Sequence, residues 1–67
     1  MNTADKINWL RDHGYRQMDI AEGTGVSQSI LSRIASGVIS DPKSSTAYAI
    51  DAFFARVKKT NGRRKHA

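Results

Sequence analysis

The chain has 67 residues, 39% of them hydrophobic and 25% charged, with a net charge of +5 and a pI near 10.1. A chain this short makes one small domain with a thin core, and without cysteine it has no disulfide or thiolate metal site to staple it, which fits a reducing cytoplasm. No apolar run is long enough to span a bilayer, and the N-terminal MNTADKINWL lacks the charged-then-apolar pattern of a secretory signal.

The basic balance points to an acidic partner such as nucleic acid, but it is unevenly placed. Arg56, Lys58, Lys59, Arg63, Arg64 and Lys65 follow one another without a single Asp or Glu, while the preceding part holds five cations against six acids. The folded part is therefore not generically basic, and any affinity for DNA there depends on where a few groups stand.

Thr3 can cap a first helix running to about His13, with Asp5 in the first turn favoured by the helix dipole. Ala4, Ile7 and Leu10 follow helical spacing and are expected to face the core, with Trp9 at the edge of that stripe. Gly14 stops the helix, Tyr15 follows as a hydrophobic contact, and His13 reads as a surface residue of the last turn.

A second helix is predicted over about Gln17 to Thr24. Arg16 precedes it and cannot accept a backbone N–H, so Asp19 in the first turn has to compensate. Gly23 weakens this helix by about 1 kcal/mol against Ala. Ala21 stands where two helices must approach closely, and Gly25 where the chain turns, because only Gly enters the left-handed region without steric cost. Ser27 can cap a third helix over about Gln28 to Ser36, and Val26 and Leu31 can close a hydrophobic staple around that cap.

At 100° per residue Leu31, Ile34 and Ala35 share one face of the third helix, and Ser29, Ser32, Arg33 and Ser36 share the other, with Gln28 at its N-terminal end. The polar face carries no acid. Gln can pair with adenine, Arg with guanine and Ser with either. Ile30 lies at the boundary, as core or as a contact to a thymine methyl. Gly37 ends the helix, and in the loop VISDPK the apolar Val38 and Ile39 either tuck into the core or meet a second subunit. A fourth helix begins near Ser44 or Ser45, either a fair cap, and runs to about Lys58, with Ala47, Ile50, Phe54 and Val57 as its stripe and Phe53 alongside. Phe53 or Tyr48, if exposed, would be a dimer contact. Asn61-Gly62 breaks any helix, and the remainder reads as a disordered basic tail. There is no β-alternation, so the fold class is all-α, four helices in one compact domain over residues 1–58 with a tail over 59–67.

Gln17, Ala21, Gly25, Val26, Leu31 and Ile34 fall in one window at the spacing of the DNA-binding helix-turn-helix, and the run QMDIAEGTGVSQSILSRI resembles the phage Cro and repressor family. The resemblance implies a lambda-repressor-like fold and a sequence-specific regulator of transcription. Such a protein would be a Cro-like repressor that occupies a palindromic operator as a homodimer formed mainly on the DNA, in a prokaryotic cytoplasm and without a cofactor. By position, Gln28, Ser29 and Arg33 would read base edges, with Ser32 beside them. Gln17 would bind a phosphate and brace Gln28, and Arg16, Lys43 and Ser44 would lie at the phosphates near the starts of helices two and four. The chain departs from the family in having Arg16 where Ser or Thr is usual, Thr24 for a frequent Leu, and Val38-Ile39 where a phosphate-binding Lys or Arg usually stands.

No Ser, His and acid combine as a nucleophilic centre, and no His, Asp or Glu pair has metal-ligand spacing on one face, so neither catalytic nor metal residues are assigned. Two other readings stay open. One is an antitoxin-type autoregulator or recombination accessory factor, for which Val38-Ile39 is the only candidate partner surface. The other is a protein-interaction module that keeps the fold without DNA binding.

Overall fold

A computed structural model of the chain describes residues 1–59. They form four helices, α1 Thr3–Asp12, α2 Gln17–Thr24, α3 Gln28–Ser36 and α4 Ser44–Lys59, with no strand among the described residues. Lys59, assigned by sequence to the tail, closes α4, and the expected tail from residue 60 onward lies outside the described residues.

The cap of α1 is Asn2 and not Thr3, which is already helical. The amide oxygen of Asn2 accepts from the Asp5 N–H at 2.8 Å, and the Asp5 carboxylate accepts from the Asn2 N–H at 3.4 Å. This reciprocal box satisfies two otherwise orphaned donors, which a lone Thr3 cap could not match. The helix ends at Asp12, one residue short of the sequence reading, with Gly14 at φ +94° and the Tyr15 N–H donating to the Leu10 carbonyl at 3.0 Å. His13 stays at the surface, its ring stacked on Trp9 at 3.7 Å between centroids and its Nδ1 2.8 Å from the Trp9 carbonyl oxygen.

The core joins Ile7 and Leu10 of α1, Ile20 of α2, Leu31 and Ile34 of α3, and Ile50, Phe53, Phe54 and Val57 of α4. α1 and α2 each lie against both α3 and α4, so every helix closes the same small core. Ala4, Trp9, Tyr15, Ala21, Val26 and Ala35 pack around it. Trp9 meets the Phe54 ring edge-on at 5.1 Å, covering the edge of the α1 stripe as its position suggests.

Two expectations about α4 change. Ser44 and Ser45 are helical residues of the first turn, not caps; the turn is closed by the Ala47 N–H donating to the Lys43 carbonyl at 2.9 Å. Phe53 is buried, with its ring edge-on to Tyr15 at 5.8 Å, so it lacks the exposure on which a dimer contact is conditional; Tyr48 is exposed.

Phe53 also explains Gly23, whose missing side chain reads from sequence only as a weakness. A Cβ added to Gly23 would lie 2.6 Å from Phe53 Cδ1 and 3.0 Å from its Cζ, and closer still to Cε1. The glycine lets the ring of α4 press against the backbone of α2. The helix gives up propensity, and the domain gains a contact that any Cβ would obstruct.

Candidate nucleic-acid interface

The turn between α2 and α3 is fixed by three short-range devices. Gly25 takes φ +79°, and its N–H donates to the Ala21 carbonyl at 2.8 Å. Thr24 donates its hydroxyl to the Ile20 carbonyl at 2.7 Å and accepts from the Val26 N–H at 3.1 Å, so the polar residue in place of a frequent Leu pins the turn. Ser27 caps α3 by accepting from the Ile30 N–H at 3.3 Å. At the start of α2 the Asp19 carboxylate accepts from the Arg16 N–H at 2.9 Å, the compensation expected for a cap residue that cannot accept.

With the turn set, Leu31 and Ile34 anchor α3 from inside at 0% and 1% exposure. The opposite face follows from helical periodicity: Gln28, Ser29, Ser32 and Arg33 are all exposed. None of these four side chains has a hydrogen-bond or ion-pair partner among the described residues. The face offers one long amide, short hydroxyls and one guanidinium, and no carboxylate. No hydrogen bond joins Gln17 to Gln28, so the brace implied by the resemblance is not formed in the free chain.

Ile30 is half-buried against the core, the first of its two readings. Val38 and Ile39 part company. Ile39 packs on the core and donates its N–H to the Arg33 carbonyl at 3.1 Å, while Val38 is 74% exposed. Gly37 at φ +92° makes this reversal possible.

The residues placed at phosphates by position fall at two ends of this arrangement. Arg16 is exposed and Gln17 half-buried at the start of α2; Lys43 and Ser44 are exposed at the start of α4. Shallow grooves lie beside them. One runs beside the start of α3, with Ser27 and Ile30 on one side and Asp41, Pro42 and Lys43 on the other. The next lies between Met18 and Gln28, and a third is lined by Arg11, Gly14, Tyr15, Arg16 and Gln17. Arg11 and Met18 have no role in the sequence reading. Helical spacing shows only that they lie off the apolar stripe; their neighbours across the grooves come from folding.

A comparison with family models matches the helix-turn-helix family over residues 7–58, more than half of the chain. The chain belongs to the Cro/repressor-type helix-turn-helix family. No curated protein and no solved structure gives a match. Family membership makes this helix-turn-helix protein a DNA-binding transcriptional regulator in kind, of a family that is generally non-enzymatic. The architecture agrees, since α2 and α3 form the motif and α1 and α4 pack behind it. Among the described residues no helix is long and apolar enough to cross a membrane.

Proposed function

We propose that this helix-turn-helix protein is a Cro-like repressor that occupies a palindromic operator as a homodimer assembled mainly on the DNA. The observation that supports this best is the outer face of α3, which is exposed and acid-free, and on which the side chains of Gln28, Ser29, Ser32 and Arg33 have no partner among the described residues. A solvated surface helix of a near-neutral domain would be expected to carry acids and to pair its arginine. Here the polar groups are left available, on a helix of the size that a major groove admits.

In this reading Gln28, Ser29, Ser32 and Arg33 read base edges, and Arg16, Gln17, Lys43 and Ser44 position the protein on the backbone. Occupancy of a promoter is the simplest mode of action for a domain of this kind. Two-fold symmetry would set the two copies of α3 about 34 Å apart, one turn of DNA. Val38 and Tyr48, both 74% exposed, are apolar groups available to a second subunit. Recovery of bound sites from a random duplex pool tests the reading. A palindrome is expected, and recovery of no enriched sequence would overturn sequence-specific repression.

The fork of Arg33 fits the O6 and N7 acceptors of a guanine. Arg33→Ala is then expected to weaken binding to the recovered operator by about 1–3 kcal/mol and to relax preference at one base pair per half-site. Arg33→Lys keeps the charge and loses the planar fork, so it should restore binding to random duplex and not specificity. Parallel losses on the operator and on a single-pair mutant of it would show that Arg33 meets only phosphate.

Ending the chain after Lys59 removes Arg63, Arg64 and Lys65. Binding to all duplexes should weaken together, and the salt dependence should flatten by about 0.9 for each phosphate that is no longer neutralised. A truncation that abolishes operator preference while sparing random duplex would mean that these residues read sequence.

A further inference from the structure

We infer that Arg11, with Arg16, forms a clamp for the phosphodiester backbone of duplex DNA; the inference rests on the DNA-binding reading above and adds an anchor that the motif does not supply. The Lys43 groove and the Met18–Gln28 groove are contiguous, and the third lies at the start of α2. Gly25, Val26 and Ser27 belong to both of the first two, and Gln17, the first residue of α2, lines the third. Lys43 lines the first groove, Glu22 and Gln28 the second, and Arg11 and Arg16 the third, beside Gln17 at the start of α2.

The Lys43 groove and the Arg11 groove differ in charge. Asp41 shares the groove of Lys43 and offsets it. The loop also has the apolar, exposed Val38 where a cation is usual. The groove of Arg11 and Arg16 holds two cations and no acid. The acids nearest in sequence are Asp12 and Asp19. Neither lines the groove, and the Asp19 carboxylate is turned onto the Arg16 N–H. Both arginines are exposed, and neither has an ion-pair partner among the described residues. They come from different elements, the last turn of α1 and the residue before α2, and the sharp turn at Gly14 brings them to one groove. Two arginines lining one concavity suit an oxyanion with several acceptor oxygens, and a guanidinium can meet phosphate with two parallel N–H donors. The charge that this chain lacks after Gly37 is supplied from α1 instead.

The test compares three full-length variants on a short random-sequence duplex over a series of salt concentrations, with melting curves to verify that each is folded. Arg11→Ala should flatten the salt slope by about 0.9, the value for one phosphate fewer neutralised. Lys58→Ala removes the same formal charge from α4, where Lys58 Nζ lies 5.5 Å from the Phe54 ring centroid, and should leave the slope unchanged. Arg11→Lys should keep the wild-type slope with weaker binding. If Arg11→Ala behaves like Lys58→Ala while the wild type binds, the clamp is overturned and the DNA-binding reading stands. If the wild type binds no duplex at any salt concentration, both are overturned.

Discussion

Leu31→Ala should lower the stability of the domain by about 2–5 kcal/mol, the cost of a cavity left by a fully buried Leu. The side chain is 0% exposed and lies on the inner face of α3, in the core shared by all four helices. Small domains have only about 5–15 kcal/mol of net stability, and 1 kcal/mol moves the melting temperature of a domain this size by roughly 4–8 °C. Thermal melting followed by circular dichroism should therefore shift by roughly ten degrees or more, or the variant should be unfolded at room temperature. Ser32→Ala is the comparison, since Ser32 is the next residue but points outward. Its melting should stay close to wild type, because exposed substitutions usually change stability by less than about 0.5 kcal/mol. A Leu31→Ala variant that melts within a degree or two of wild type would place Leu31 outside the core and rotate the assigned face of α3.

Substitution of Gly23 is expected to go against helix propensity. In an ordinary exposed helix position Gly→Ala gains about 1 kcal/mol. Here the new Cβ would lie 2.6 Å from Phe53 Cδ1, and Phe53 is held in place by the edge contact to Tyr15 and by burial at 8% exposure. Overpacking of a core typically costs about 1–3 kcal/mol, occasionally more. Gly23→Ala should thus end slightly less stable than wild type in spite of the propensity gain. Gly23→Val adds two further methyl groups against the same ring and loses the gain through β-branching, so it should cost about 3 kcal/mol. Phe53→Leu tests the cause. If the ring is the obstacle, Gly23→Ala should be less harmful, or stabilising, in the Phe53→Leu background, and the double-mutant cycle should show coupling. A Gly23→Ala protein that melts well above wild type would mean that the two helices can part without loss.

Much of this domain follows from local rules that operate within a few residues. The bounds of α2 and α3, the positive φ of Gly25 and the Ser27 cap depend on steric freedom and on hydroxyl reach, and these are properties of each residue and its near neighbours. The same holds for the outward face of α3, because helical periodicity places Gln28, Ser29, Ser32 and Arg33 opposite Leu31 and Ile34 once the helix is granted. Even the cap of α1 is open to local reasoning. Asn2 and Asp5 stand three apart, and Asn is as good a cap as Thr.

Other features arise only where distant segments meet. Gly23 is a propensity defect on its own helix and a packing requirement once Phe53, far along the chain, lies across it. Val38 and Ile39 are equivalent in sequence, and the core takes one of them because the turn at Gly37 aims only Ile39 inward. Phe53 is adjacent to the α4 stripe and is buried because Tyr15, just before α2, offers its ring an edge. Arg11 and Arg16 face one groove because the chain reverses at Gly14. The helices, the turn and the chemistry of the outer α3 face are written in the order of the residues, since each needs only neighbours along the chain. Packing decides which glycine makes room for a ring, which loop residue is buried and which cations share a groove, because those depend on volumes and directions that exist only when the helices are brought together.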